Sequence, residues 1–136
     1  MQHLIIIILV LLVPTGCVNS LQSGEWQPPM VGANYGTYPE SYKTIVKQWY
    51  GQHLKDPDSA NFLEITIPQQ DTIVIDPFKK KAAYGYSVCA RVNAKNGFRR
   101  YSANQKLLIR DGKVIQYVSP TRVGGRGYVD PCSGMD

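Results

Sequence analysis

The sequence predicts an α+β domain: one N-terminal amphipathic helix packed on an antiparallel β-meander of four or five strands. Three features point there. Apolar residues recur at helical spacing between Tyr42 and Leu54, β-branched and aromatic runs begin at Phe62, and the dipeptides Asn96-Gly97 and Asp111-Gly112 interrupt those runs as hairpin turns do. A chain of 136 residues with 18% charged side chains has room for one such domain.

The elements follow in order. Pro39 suits a first helical turn and Thr37 an amino-terminal cap. Tyr42, Ile45, Val46, Trp49, Tyr50, His53 and Leu54 then line one face of a helix of roughly 16 residues, which Asp56-Pro57 ends because a residue before proline avoids helical dihedrals. Strands are expected over 62–67, 72–75, 82–95, 98–110 and 114–118.

A turn centred on Asn96 and Gly97 would set the register of the long hairpin. It places Tyr84, Tyr86, Val88, Ala90 and Val92 opposite Ile109, Leu107, Gln105, Ala103 and Tyr101, a face expected to meet the helix. The other face carries Ser87, Cys89, Arg91, Asn93 and Lys95 opposite Lys106, Asn104, Ser102, Arg100 and Phe98. Arg91, Lys95, Arg100 and Lys106 thereby share one surface, with Lys79-Lys80-Lys81 just upstream. That surface is either an anion-binding face, its arginines suited to bidentate contacts, or an ordinary solvated one.

Residues Leu4 to Val13 form an unbroken apolar run, too short to cross a bilayer, and Pro14-Thr15-Gly16-Cys17 follows it directly. This arrangement resembles the lipobox of bacterial lipoproteins, with Pro14 standing where that pattern usually has Leu and no Lys or Arg ahead of the run. The resemblance implies cleavage before Cys17, acylation of its thiol and an extracytoplasmic location. Val18, which is not the Asp that retains such proteins in the inner membrane, implies the outer membrane. A plain signal peptide with an incidental cysteine, or an uncleaved anchor, is the competing reading.

The expected organisation is a leader over 1–16, a flexible Gly/Pro/Ser-rich tether over 17–37, the domain over 38–120 and a Gly-rich tail over 121–136. Trp26, Met30 and Tyr35 are apolar residues in that tether that either dock or merely brush the surface. With Cys17 acylated, Cys89 and Cys132 remain as a pair in a space that permits disulfides, and a bridge between them would pin the tail; two free thiols is the alternative.

Two further stretches, Leu54 to Phe62 (LKDPDSANF) and Cys89 to Phe98 (CARVNAKNGF) with Tyr101, resemble a group of small proteobacterial proteins that share DPxSAxF and C-x-x-VNAKN patterns. That group usually has glycines where Arg99 and Arg100 stand here. The resemblance covers about half of the chain and implies the fold, with no activity attached to it.

The net charge of +5 favours anionic partners, and the compartment makes these lipid, lipopolysaccharide or wall polymer; no nucleic acid is expected. Chemistry is sparse. Beyond the leader His53 is the sole histidine, expected as a packed side chain, no Cys/His spacing suits a metal, and Asp56, Asp58, Glu64, Asp71 and Asp76 sit around turns. Gly124-Gly125-Arg126-Gly127 lacks the Lys-Ser/Thr of a phosphate loop. No catalytic residue, metal or cofactor is expected. The favoured function is a membrane-tethered binding or assembly module that meets an envelope protein or an anionic envelope polymer, such as an accessory of a secretion or surface complex. The alternative is a small envelope enzyme or inhibitor acting on wall or lipid substrates.

Overall fold

A computed structural model describes residues 24–96, 99–125 and 127–135. The leader, Cys17, Gly97 of the expected Asn96-Gly97 turn, Phe98 at the expected start of the next strand, and Arg126 lie outside the described residues. Helix α1 spans Tyr42–His53, and the strands are β1 (Asp56–Ile65), β2 (Gln69–Asp76), β3 (Lys81–Asn96), β4 (Arg99–Arg110), β5 (Lys113–Val118), β6 (Thr121–Val123) and β7 (Gly127–Val129). The architecture is α+β, one helix on a mostly antiparallel sheet.

Three differences from expectation have local causes. First, α1 does not head the described chain. Residues 24–41 precede it, and the cap is Ser41, whose carbonyl accepts the N–H groups of Thr44 (2.9 Å) and Ile45 (3.1 Å), with no side-chain cap from Thr37. Pro39 is buried in the turn ahead, its carbonyl held by the Tyr42 N–H at 3.0 Å. The helix ends where Leu54 turns extended, before Asp56-Pro57 is reached.

Second, β3 organises the sheet as a 16-residue strand. One of its edges carries β2 along its first half and β1 along its second, and β4 then β5 follow on the other edge. Residues 56–76 thus form one edge strand broken at Thr66-Ile67-Pro68, since buried Pro68 has no N–H to give the ladder. Thr66 spans the break: its N–H donates to the Cys89 carbonyl (2.9 Å) and its Oγ1 accepts the Cys89 N–H (2.8 Å). With β6 and β7, the described residues hold seven strands, five of them in the main sheet. The tail expected to be flexible carries that second hairpin.

Third, the long hairpin pairs Cys89 with Lys106 rather than with Asn104, and Asn96 with Arg99. The slip equals one full side-chain period, so every residue keeps its expected face while its partner changes. Val46 and Tyr50 of α1 meet Val88, Ala90, Val92, Leu107 and Ile109 in the core, flanked by Ile45, Trp49, Phe62 and Val114. Each fully buried Val, Leu or Ile there contributes about 1.5–3 kcal/mol.

Tyr84 and Tyr86 share that face but are covered by the segment ahead of the helix. Tyr35 packs edge-on to Tyr84 (5.9 Å), Tyr38 edge-on to Tyr86 (5.3 Å), and the Tyr84 hydroxyl donates to the Pro29 carbonyl at 3.0 Å. Met30 Sδ accepts from Thr72 Oγ1 at 3.4 Å. The stretch read as tether therefore lies on the sheet from Pro29 to Tyr38.

On the opposite face a disulfide joins Cys89 to Cys132. Met135 Sδ rests 3.6 Å from Cys89 Sγ, and Asn104 Nδ2 donates to Asp130 Oδ2 at 2.7 Å, so the tail folds back over β3 and β4.

Candidate binding cleft

The last turn of α1, the chain leaving it, the ends of β3 and β5 and the middle of β4 enclose a cleft of about 340 Å³, lined by Trp49, Tyr50, His53, Leu54, Lys55, Lys95, Gln105 and Tyr117. This lies within the size range of small-ligand sites.

The floor is polar but fully used. Gln105 points from β4 into the core face; its Oε1 accepts from the Tyr50 hydroxyl at 2.7 Å and its Nε2 donates to Ser119 Oγ at 2.9 Å. This connected network fixes the Tyr50 ring, because breaking any link would bury an unsatisfied group.

The wall is aromatic. Trp49 and His53 lie one helical turn apart, so their rings stack at 4.1 Å and 17°. His53 Nδ1 sits 2.7 Å from the Trp49 carbonyl, which can only accept, so Nδ1 carries a proton and Nε2 is the ring nitrogen left for an incoming group. Tyr117 closes the other side, 5.2 Å from Trp49 and half exposed.

A bulge puts Tyr117 there. The β4–β5 register shifts between Leu108 and Ile109, so that Val114 faces Ile109 and Tyr117 faces Leu107, both on the helix side. Lys55 and Lys95 complete the cleft. Ser59 Oγ accepts the Lys95 N–H at 2.8 Å and donates to the Asp56 carbonyl at 2.7 Å, tying the irregular start of β1 to the end of β3. No carboxylate is among the described lining residues.

The cations singled out in the sequence fare differently. Register puts Arg91, Arg100 and Lys106 on the disulfide side of the sheet, whereas Lys95 at the end of β3 borders the cleft, and Arg91 and Lys106 are each paired with an acid. Arg91 Nη1 is 3.5 Å from Glu64 Oε2, and Lys106 Nζ is 3.1 Å from Asp71 Oδ2, which also accepts from Ser87 Oγ at 2.6 Å. Asp130 adds a third carboxylate beside a smaller polar cavity of about 170 Å³ that includes Glu64, Arg91, Asn104 and the disulfide. The side chain of Arg100 lies outside what is described; its backbone pairs with Lys95. Lys95 lines the cleft instead. The pairing acids come from β1 and β2, which a register worked out for β3 and β4 alone does not contain.

Among the described residues no three His, Cys, Asp or Glu side chains are arranged to hold a metal ion, and no helix is long and apolar enough to cross a membrane. Arg122 stands apart on the β6–β7 hairpin, its Nε donating to the Tyr128 hydroxyl at 3.1 Å; that hydrogen bond, with the electrostatic pull of the same oxygen, raises its affinity for its proton. Comparison with known proteins finds no matching family model, no similar curated protein and no similar solved structure.

Proposed function

We propose that this chain is a lipid-anchored module of the bacterial envelope, acylated at Cys17 and carried on the periplasmic side of the outer membrane, which binds an anionic envelope polymer in the Trp49–His53–Tyr117 cleft. One observation carries the compartment. The sequence has three cysteines, and the bridge between Cys89 and Cys132 leaves Cys17 as the one thiol outside the domain's own pairing. Structural disulfides belong to oxidising spaces, which agrees with the apolar run and lipobox-like residues ahead of Cys17.

The ligand class rests on the cleft's chemistry. Aromatic faces on two sides suit a flat apolar surface such as one side of a sugar ring, and Lys55 and Lys95 suit a carboxylate or phosphate on that ring. The wall polymers of the envelope carry both features. Binding rather than turnover is the favoured reading, since the lining residues pair no base with a nucleophile and the Nδ1 of His53 is committed to the Trp49 carbonyl.

Calorimetric titration tests this with a uronic- or muramic-acid saccharide and its neutral counterpart. The acidic saccharide is expected to bind, Trp49→Ala to weaken it about fivefold or more through loss of stacking worth about 1–3 kcal/mol, and Lys55→Gln with Lys95→Gln to erase its advantage over the neutral sugar. Equal binding of both saccharides, or an unchanged affinity in Trp49→Ala, contradicts the assignment.

A further inference from the structure

Beyond the anchor and the cleft, we infer that the β2–β3 turn is a membrane-docking tip: Phe78 enters the interface of an anionic bilayer while Lys79, Lys80 and Lys81 meet its headgroups. Phe78 is 98% exposed, the most exposed aromatic among the described residues, and the three consecutive lysines beside it are exposed as well. Aromatic side chains bordered by a basic cluster are the composition that binds anionic lipid surfaces.

The turn is built to hold that shape. Asp76 Oδ1 accepts the N–H groups of Phe78 (3.0 Å) and Lys79 (3.1 Å), and the Lys80 N–H reaches back to the Pro77 carbonyl at 3.3 Å. Lys80 takes a left-handed φ of 51°, which finishes a tight reversal on a residue with a long charged side chain rather than on glycine. Phe78 thus stands at the tip in a fixed backbone, with no collapse onto the sheet. The single carboxylate in the turn, Asp76, spends one oxygen on those amides, and its other lies 3.8 Å from Lys79 Nζ. The tip keeps a net positive charge.

The tip also projects. β4 pairs with β3 only from Tyr86 onward, so Lys81 to Gly85 and their β2 partners form a two-stranded arm beyond the rest of the main sheet. Val74 (41%) and Ile75 (44%) extend the exposed apolar surface down that arm. The same arm receives the segment from the amino end, through Tyr84 to Pro29 and Thr72 to Met30. From Thr72 to Phe78 is at most about 20 Å of chain, and the residues between Cys17 and Pro29 reach at most about 40 Å. A surface that holds Cys17 is therefore within range of Phe78.

The test uses the full chain reconstituted into vesicles by detergent removal, where acylated Cys17 or the apolar run over 4–13 keeps it at the bilayer. Phe78→Trp is introduced, and its emission is compared with that of the unsubstituted chain's Trp26 and Trp49 in vesicles with brominated acyl chains, made either of phosphatidylglycerol with phosphatidylcholine or of phosphatidylcholine alone. The expected result is added emission that is quenched in the anionic vesicles, and a docked-to-free ratio about a hundredfold lower when Lys79, Lys80 and Lys81 are all changed to Gln, roughly fivefold per charge. Added emission that stays unquenched in both vesicles overturns the proposal, as does quenching that the triple change leaves intact. Amide exchange at 78–80 gives a second reading without substitution: no slowing on anionic vesicles also overturns it. Mass analysis of Cys17 in the same sample reports the anchor separately, so the loss of one reading does not count as the loss of the other.

Discussion

Removing the Cys89–Cys132 bridge should cost about 4 kcal/mol. The pair is 43 residues apart in sequence, and closing a loop of that length in the unfolded chain removes about 13 cal/mol/K of entropy in the chain-entropy treatment. Among the described residues the tail is otherwise tied to the sheet by an exposed hydrogen bond from Asn104 to Asp130 and by Met135 resting on Cys89. A double change, Cys89→Ala with Cys132→Ala, is the right perturbation, because a single one leaves an unpaired thiol free to crosslink two chains. Cys89 is 5% exposed, so the truncation adds about 1 kcal/mol for lost packing. Reduction of the unsubstituted chain gives the bridge term alone. In urea, with an m-value of about 1.5 kcal/mol/M, 4 kcal/mol moves the midpoint down by roughly 2.7 M. The m-value itself should rise, since the uncrosslinked unfolded chain is more expanded. A reduced chain whose midpoint falls by less than about 0.5 M refutes the reasoning, for the reduced tail would then leave the sheet and regain its freedom while the rest of the domain stays folded.

Two glycines should respond in opposite directions to alanine. A Cβ on Gly85 would stand 2.6 Å from the Ile109 carbonyl oxygen and 3.1 Å from Leu108 Cγ, so Gly85→Ala should destabilise by about 1–3 kcal/mol, whereas Gly51→Ala meets nothing within 4 Å on the helix and should stabilise by about 0.5–1 kcal/mol; urea midpoints that move the same way for both would contradict this. Asp71→Asn removes the charge that pairs Lys106 and accepts from Ser87, with both ionic side chains less than a third exposed, and should lower stability by about 1–2 kcal/mol, with a shift under about 0.3 kcal/mol as the contrary result.

The sequence carried the β-hairpins well because their turns are local chemistry. Asp111-Gly112 turns with both residues at positive φ, as that dipeptide suggests, and the core face of β3 and β4 followed from alternation alone. The register slipped because the turn was centred one residue early, an error that side-chain periodicity cannot reveal. The Cys89–Cys132 pair was legible from the count of cysteines and the face on which Cys89 falls.

The cleft was not legible. Trp49 and His53 look like core positions at helical spacing, and only the bulge opposite Ile109 turns Tyr117 toward them. No turn residue marks that bulge: it lies between Val114 and Gln116. The pairing of Arg91 and Lys106 was hidden for a similar reason, since Glu64 and Asp71 belong to strands whose place beside β3 depends on a break at Pro68. Residues far apart in sequence meet there through topology, and local pattern holds no record of it.

The address of the protein rests on the chemical state of its three cysteines, which one intact-mass measurement on protein extracted from bacterial membranes can read. The account predicts a chain that begins at Cys17, carries a diacylglyceryl thioether there, resists alkylation as isolated, and after reduction is alkylated at Cys89 and Cys132. A chain that still begins at Met1, with an unmodified and alkylatable Cys17, contradicts it.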